Sequence, residues 1–224
     1  MDIKLKNNKI ITIDGPSASG KGSLAKSLAR ELNFLLLDSG LLYRAYSYSF
    51  IQTGNHSDAV NFFSELLIEN VLGEMKVFED KNEITSFLRD EKVAKSASKI
   101  SSEKETRDNL ITFQRNLINE NGLVADGRDM GTVVFPDAAT KIFLNADVEI
   151  RAKRRLLELQ KSNQDVNMRD LIEDIRLRDK ADQAREISPL MAAQDSIELD
   201  STNLTPQEVL KKALEIYRIQ TAES

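Results

Sequence analysis

The run Gly15-Pro16-Ser17-Ala18-Ser19-Gly20-Lys21-Gly22-Ser23 sets two glycines around four residues, with a lysine directly after the second. That is the spacing of a loop whose backbone N–H groups form a nest for phosphate, backed by the positive end of the following helix. Lys21 would reach the outer phosphates. The bland alternative is a flexible Gly/Ser loop that binds nothing.

Other residues along the chain carry charges such chemistry could use. Asp126-Gly127-Arg128-Asp129 sits in the run Gly122 to Pro136. An Asp ending a strand there could organise Mg²⁺ and its waters, or Asp126 and Arg128 could pair in a surface turn. Arg151, Arg154 and Arg155 fall at i, i+3 and i+4. They are either a solvated face partnered by Glu149 and Glu158, or a lid closing over phosphates. Arg178, Asp182 and Arg185 fall at i, i+4 and i+7, which suits an ion-pair ladder as well as a phosphate or ribose site. Arg107, near the start of a helix, gains nothing from the helix dipole, so its partner is a local Glu or a ligand. Ser39 is placed to cap a helix whose second turn carries Arg44, a surface arginine on the plain reading.

The elements that must position these groups follow from periodicity. Ile10, Ile11 and Ile13 form a buried strand before the loop, and Leu24, Leu28 and Leu32 share a helical face after it. Phe34 to Leu37 is a second buried strand ending at Asp38. Residues 57 to 70 read as a helix with Val60, Phe63 and Leu67 inward, and Met75 to Ile84 as a small hairpin around a polar turn. Helix resumes near Glu91. Ser102-Glu103-Lys104-Glu105 matches a capping box opening a helix to about Asn119, with Leu110, Phe113, Leu117 and Ile118 inward. Strands are expected at Leu123 to Asp126, Lys141 to Ala146 and Ser196 to Asp200. Helices are expected after Asp147, from about Asn167 to Glu186, and from a capping box at Thr205-Pro206-Gln207-Glu208. The expectation is an α/β fold of three layers, a central parallel sheet with helices on both faces.

The 224 residues suffice for one α/β domain with an insertion. A net charge of −5 argues against broad nucleic-acid binding, though not against a local basic pocket. With no cysteine and only one histidine, disulfides, thiolate zinc sites and histidine metal centres are excluded. His56 reads as a solvated turn residue. Met1 to Asn8 lacks the apolar core of a signal peptide, and no run approaches a membrane span, so a cytoplasmic location without membrane partners is expected.

Taken together, the P-loop with its Gly-Lys-Gly-Ser ending, Asp38-Ser39-Gly40 with Tyr43-Arg44, Asp126 through Pro136, Arg178-Asp179 with Asp182 and Arg185, and Asp200-Ser201-Thr202 resemble the bacterial cytidylate kinase family of nucleoside monophosphate kinases. The resemblance implies transfer of the γ-phosphate of ATP to CMP or dCMP by a monomer. It implies that Gly15, Pro16, Ser17, Ala18, Ser19, Gly20, Lys21, Gly22 and Ser23 hold the ATP phosphates. Ser39, Arg107 and Asp129 would contact the cytosine edge, with Asp38 and Tyr43 also at the acceptor site. Ser98, Arg178 and Asp182 would hold the sugar, and Arg44, Arg128 and Arg185 the CMP phosphate. Lys21, Arg128, Asp129, Arg185 and the lid's Arg154 would form the catalytic set. Mg²⁺ would be held mainly by phosphates and water, with no metal site made by the protein alone. The implied division is a core of about 9–55, 100–147 and 190–220, an acceptor-binding insertion of about 56–99 and a lid of about 148–189, in one domain spanning 1–224.

The insertion looks shorter than in longer bacterial members, Leu41 is bulkier than the residue often found there, and Gln183 stands where Ser is common. A kinase for another monophosphate or small metabolite is the alternative. A non-catalytic nucleotide switch would place Ser or Thr at position 22 and would not need Arg44, Arg128 and Arg185.

Overall fold

The computed structural model describes residues 9–71, 73–161 and 166–222. The expectation for Met1 to Asn8, and residues 162–165 of the expected lid, lie outside the described residues.

The central sheet contains β1 (Ile10–Asp14), β2 (Leu35–Asp38), β6 (Leu123–Asp126), β7 (Thr140–Asn145) and β8 (Ile197–Asp200), ordered β2-β6-β1-β7-β8. Every pairing in it is parallel. Alternate side chains feed two cores. Ile10, Leu37, Leu123 and Ala125 face one, while Ile11, Ile13, Leu36 and Val124 face the other. α1 (Lys21–Leu32) and α9 (Pro206–Ala222) cover the second core. α2 (Ser39–Thr53), α3 (His56–Glu65), α5 (Glu91–Ile100) and α6 (Lys104–Asn116) cover the first. The expected layered α/β fold is therefore present.

Parallel pairing places all five strand ends at one edge, four of them aspartates: Asp14, Asp38, Asp126 and Asp200. This is the edge where open α/β sheets bind ligands.

Between α3 and α5 a second sheet of β3 (Leu67–Val71), β4 (Glu74–Glu79) and β5 (Asn82–Glu83) precedes the short helix α4 (Thr85–Leu88). The hairpin is present, turning at Asp80 and Lys81 with φ of 46° and 70°. The small sheet leans on the main one, where the Asn70 amide oxygen accepts from the Leu36 N–H at 2.8 Å. α7 (Val148–Lys161) and α8 (Met168–Gln183) pair over their own small core of Ala152, Leu159, Leu171 and Ile175.

Four local expectations are corrected. The helix expected over 57–70 stops at Glu65, and Leu67 starts β3 with its side chain outward. Asp38 rather than Ser39 caps α2, its carboxylate accepting from the Leu41 N–H at 2.9 Å. The capping box at Ser102 does not form. Ser102 lies in the turn that ends α5, and its hydroxyl donates back to the Lys99 carbonyl at 2.7 Å; α6 then runs only to Asn116. His56 is not a solvated turn residue. Gly54 folds α3 back onto α2, which sets His56 Nδ1 3.1 Å from the Tyr46 hydroxyl and Nε2 3.2 Å from Glu103. The box at Thr205 does form, with the Glu208 carboxylate accepting from the Thr205 N–H at 2.8 Å and the Thr205 hydroxyl accepting from the Glu208 N–H at 3.3 Å.

Candidate active site

The loop between β1 and α1 starts on a glycine that no other residue could replace. Gly15 has φ of +148°, and a Cβ there would meet the Leu144 carbonyl oxygen of β7 at 2.0 Å. Gly20 opens α1 in a left-handed conformation with no side-chain cap and no acid in the first turn. The first N–H groups of the helix are thus left for an external anion. Lys21, 5% exposed, curls over the loop and donates to the Pro16 carbonyl at 2.8 Å. Gly22 gives room to a carboxylate: a Cβ there would lie 3.4 Å from Asp126 Oδ2.

Arg151 and Arg154 brace this loop from α7. Arg151 donates to the Ser17 carbonyl at 3.0 Å and pairs with Asp179 at 2.7 Å. Arg154 donates to the Ser19 carbonyl at 2.9 Å and the Ser201 carbonyl at 2.6 Å. Both guanidiniums are bonded to carbonyls of the loop. Arg155 instead turns into the cavity described next.

A cavity of about 710 Å³ opens beside the loop, between the main sheet's edge, α5 and α8. It falls within the roughly 300–1,000 Å³ of small-molecule sites. Every acceptor-side residue anticipated from the sequence lines it: Asp38, Ser39, Tyr43, Arg44, Ser98, Arg107, Arg128, Asp129, Arg178, Asp182 and Arg185. They come from both sides of the insertion, from α5 within it and from α8, so the fold brings together residues that the sequence scatters. Nine Lys and Arg line the cavity against five Asp and Glu, although the whole chain is acidic at −5. Such an excess is complementary to an anion.

The carboxylates present hold the arginines in place. Arg107, 8% exposed, is ion-paired to Asp129, donates to the Ser101 carbonyl at 3.1 Å and lies over the Tyr43 ring. Its partner within the protein is therefore Asp129 rather than a nearby Glu. Asp182 accepts from Arg128 Nε at 2.9 Å and from Arg185 at 2.5 Å. Arg128 thus reaches across to α8, not to Asp126. Arg44 donates to the Leu88 carbonyl at 3.1 Å. Burial, followed by the charge of Arg128, pushes the Arg178 guanidinium down to about 10. Burial raises the Asp126 carboxyl against the pull of Lys21.

Sequence reasoning missed several groups here. Arg89 pairs with Asp38 at 2.9 Å across 51 residues, and lines the cavity with Lys95 and Lys99 of α5. No motif marks Arg89, which lies in a turn between two short helices. The pair Lys95 and Lys99 at i and i+4 beside Ser98 was the legible signal for that face of α5.

A family model described as cytidylate kinase matches residues 11–219. Curated relatives bearing the name Cytidylate kinase include one from Caldicellulosiruptor saccharolyticus, 41% identical over 213 residues, covering 92% of this chain and 94% of that one. One from Vibrio parahaemolyticus is 42% identical over 222 residues, covering 96% and 97%. One from Pseudomonas savastanoi pv. phaseolicola is 43% identical over 218 residues, covering 92% and 93%.

Proposed function

The chain belongs to the cytidylate kinase family, and from that membership we infer that it transfers the γ-phosphoryl group of ATP to CMP or dCMP, giving ADP and CDP or dCDP. The observation that carries the reading is the basic cavity set directly beside a P-loop. One pole suits a polyphosphate donor and the other an anionic acceptor.

The acceptor's phosphate is already a nucleophile, so no strong base is required. Catalysis is then positioning and charge neutralisation. We assign the P-loop residues Gly15 to Ser23 to the ATP phosphates, with Lys21 on the transferring group. Arg44, Arg128 and Arg185 hold the acceptor phosphate; Ser39, Arg107 and Asp129 the base edge; Ser98, Arg178 and Asp182 the sugar. A base edge read by buried polar groups rejects mismatched bases, whose arrival would leave those groups unpaired. Arg154 acts here through the loop it braces, and Arg155 is the α7 residue open to the acceptor. Residues 56–99 form the acceptor-binding insertion and 148–189 the lid of a single, monomeric kinase domain.

Among the described residues no group of three or more His, Cys, Asp or Glu could hold a metal ion. Asp38 and Asp126 stand opposite each other at adjacent strand ends. This sparse donor set fits Mg²⁺ that would be carried on phosphate oxygens and water, with Asp126 placed to hold that water. Bound there, Mg²⁺ would neutralise phosphate charge. No helix among the described residues is long and apolar enough to cross a membrane.

The deciding experiment is ADP release measured with CMP, dCMP, UMP and AMP as acceptors. Turnover with CMP or dCMP is expected; its absence with both would overturn the assignment, and preference for AMP would favour the other-monophosphate reading.

Two further outcomes follow. Arg185→Ala should lower kcat/KM for CMP by about tenfold or more, about 1.4 kcal/mol. Unchanged kinetics would make Arg185 only an ion-pair partner of Asp182. The second concerns protons. Burial, then Arg128, push the Lys21 ammonium down to about 7, against the opposing pull of Asp126 and Asp14. Free Lys21 therefore holds its proton less firmly than an ordinary lysine, and an arriving polyphosphate raises its affinity for a proton. Calorimetry at pH 8 in buffers of differing ionisation enthalpy should show net proton uptake on ATP binding. Lys21→Met should abolish that uptake, and proton release by the wild-type chain would contradict it.

A further inference from the structure

Asp14 ends β1, the middle strand of the main sheet, and immediately precedes Gly15 of the P-loop. It is 5% exposed. Its two carboxylate oxygens are both used. Oδ1 accepts from the Met130 N–H at 2.8 Å and Oδ2 from the Gly131 N–H at 2.7 Å, across 116 and 117 residues. Those donors open a five-residue π-helix, Met130–Val134, closed by the Phe135 N–H on the Met130 carbonyl at 2.7 Å. π-Helical turns are uncommon and concentrate at functional sites.

The approach is close enough to need glycine. A Cβ on Gly131 would lie 2.9 Å from Thr12 Oγ1, 3.2 Å from Lys141 Cδ and 3.3 Å from Asp14 Oδ2. Immediately before the π-helix come Arg128, held by Asp182, and Asp129, held by Arg107. One buried carboxylate thus ties the start of the donor loop to the segment that carries two acceptor-side residues.

We propose that Asp14 is a positioning residue that sets the register between the donor and acceptor phosphates by clamping the Met130 and Gly131 amides. The proposal rests on the reading of the arginine-lined cavity as the acceptor site. Asn at position 14 has nearly the same shape, but its NH₂ must face one of the two amide N–H groups, so one of those bonds is lost. In the wild-type reaction an acceptor phosphate oxygen bonds to the γ-phosphorus as the bond to the ADP oxygen breaks. When register slips, water supplies the entering oxygen and gives its proton to solvent, leaving ADP and inorganic phosphate.

The test compares the wild-type chain, Asp14→Asn, and Leu28→Ala as a control destabilised in the core away from the cavity. ADP and CDP formed from ATP and CMP are quantified by chromatography, and turnover is expressed per CMP-binding site counted by equilibrium titration. Asp14→Asn should turn over at least about tenfold more slowly per site. It should also release more ADP than CDP, while the wild type and Leu28→Ala release them in equal amounts. A merely structural role would lower the number of sites and leave that ratio at one. If Asp14→Asn does not fold, Gly131→Ala stresses the same contact from the other side and is expected to uncouple in the same way. Equal ADP and CDP, or per-site turnover within about twofold of wild type, would overturn the proposal. Failure of the wild-type chain to make CDP would sink the acceptor-site reading, and the proposal with it.

Discussion

Lys21→Met should lower kcat for CDP formation by about 10²–10³-fold, about 2.7–4 kcal/mol, the cost typical of removing one preorganised donor from developing charge. Lys21 is the first residue of α1, beside the uncapped N-terminal amides, and it is buried. Its bond to the Pro16 carbonyl at 2.8 Å keeps the ammonium folded over the loop. A phosphate entering the nest would take over that donor. Methionine keeps an unbranched chain of similar bulk, so the substitution isolates the charge from the packing. The acceptor groups lie on other elements, so the KM for CMP should move little. Steady-state kinetics at saturating ATP check this. A fall of less than about fivefold would remove Lys21 from the transferring phosphate.

The second large effect belongs to Asp182. Its carboxylate is 3% exposed and holds Arg128 and Arg185, whose side chains are 20% and 12% exposed. Asp182→Ala would leave two nearly buried guanidiniums facing each other without a counter-ion. Breaking one partner of a buried ion pair typically costs 3–5 kcal/mol, and because both arginines keep some solvent a loss of about 3 kcal/mol is expected. Burial alone would raise this carboxyl; Arg128 and then Arg185 overcome that and hold it below its ordinary value. Its contribution is therefore fully present at neutral pH and is lost as pH falls through that depressed value. Urea unfolding at pH 7 measures the loss, and kcat/KM for CMP should fall with it as Arg128 and Arg185 lose alignment. A stability change under about 1 kcal/mol would show that solvent screens the triad.

What could be read from the sequence was whatever depends on near neighbours. Ile10, Ile11 and Ile13 before a glycine loop, or Thr205 and Glu208 around Pro206, fix their own local structure, and both formed as anticipated. The acceptor-side list came from resemblance, because its members join only when the sheet aligns its strand ends. What failed had competing partners nearby or far away. Ser102 had the spacing of a cap, but the end of α5 overran it and took its hydroxyl. His56 was polar among polar neighbours, and only the fold of α3 onto α2 half-buried its ring against Phe50 and Tyr46. Asp14 carried no local signal of its contacts, because its amide partners lie more than a hundred residues away.

A cytidine nucleotide held beside the P-loop should accept the transferred group on its own phosphate. Incubation with ATP labelled at the γ-phosphate and with CMP, followed by separation of the nucleotides, tests this directly. The label should appear in the β-phosphate of CDP, one equivalent for each ADP formed. Label released only as inorganic phosphate, or left in ATP, would contradict it.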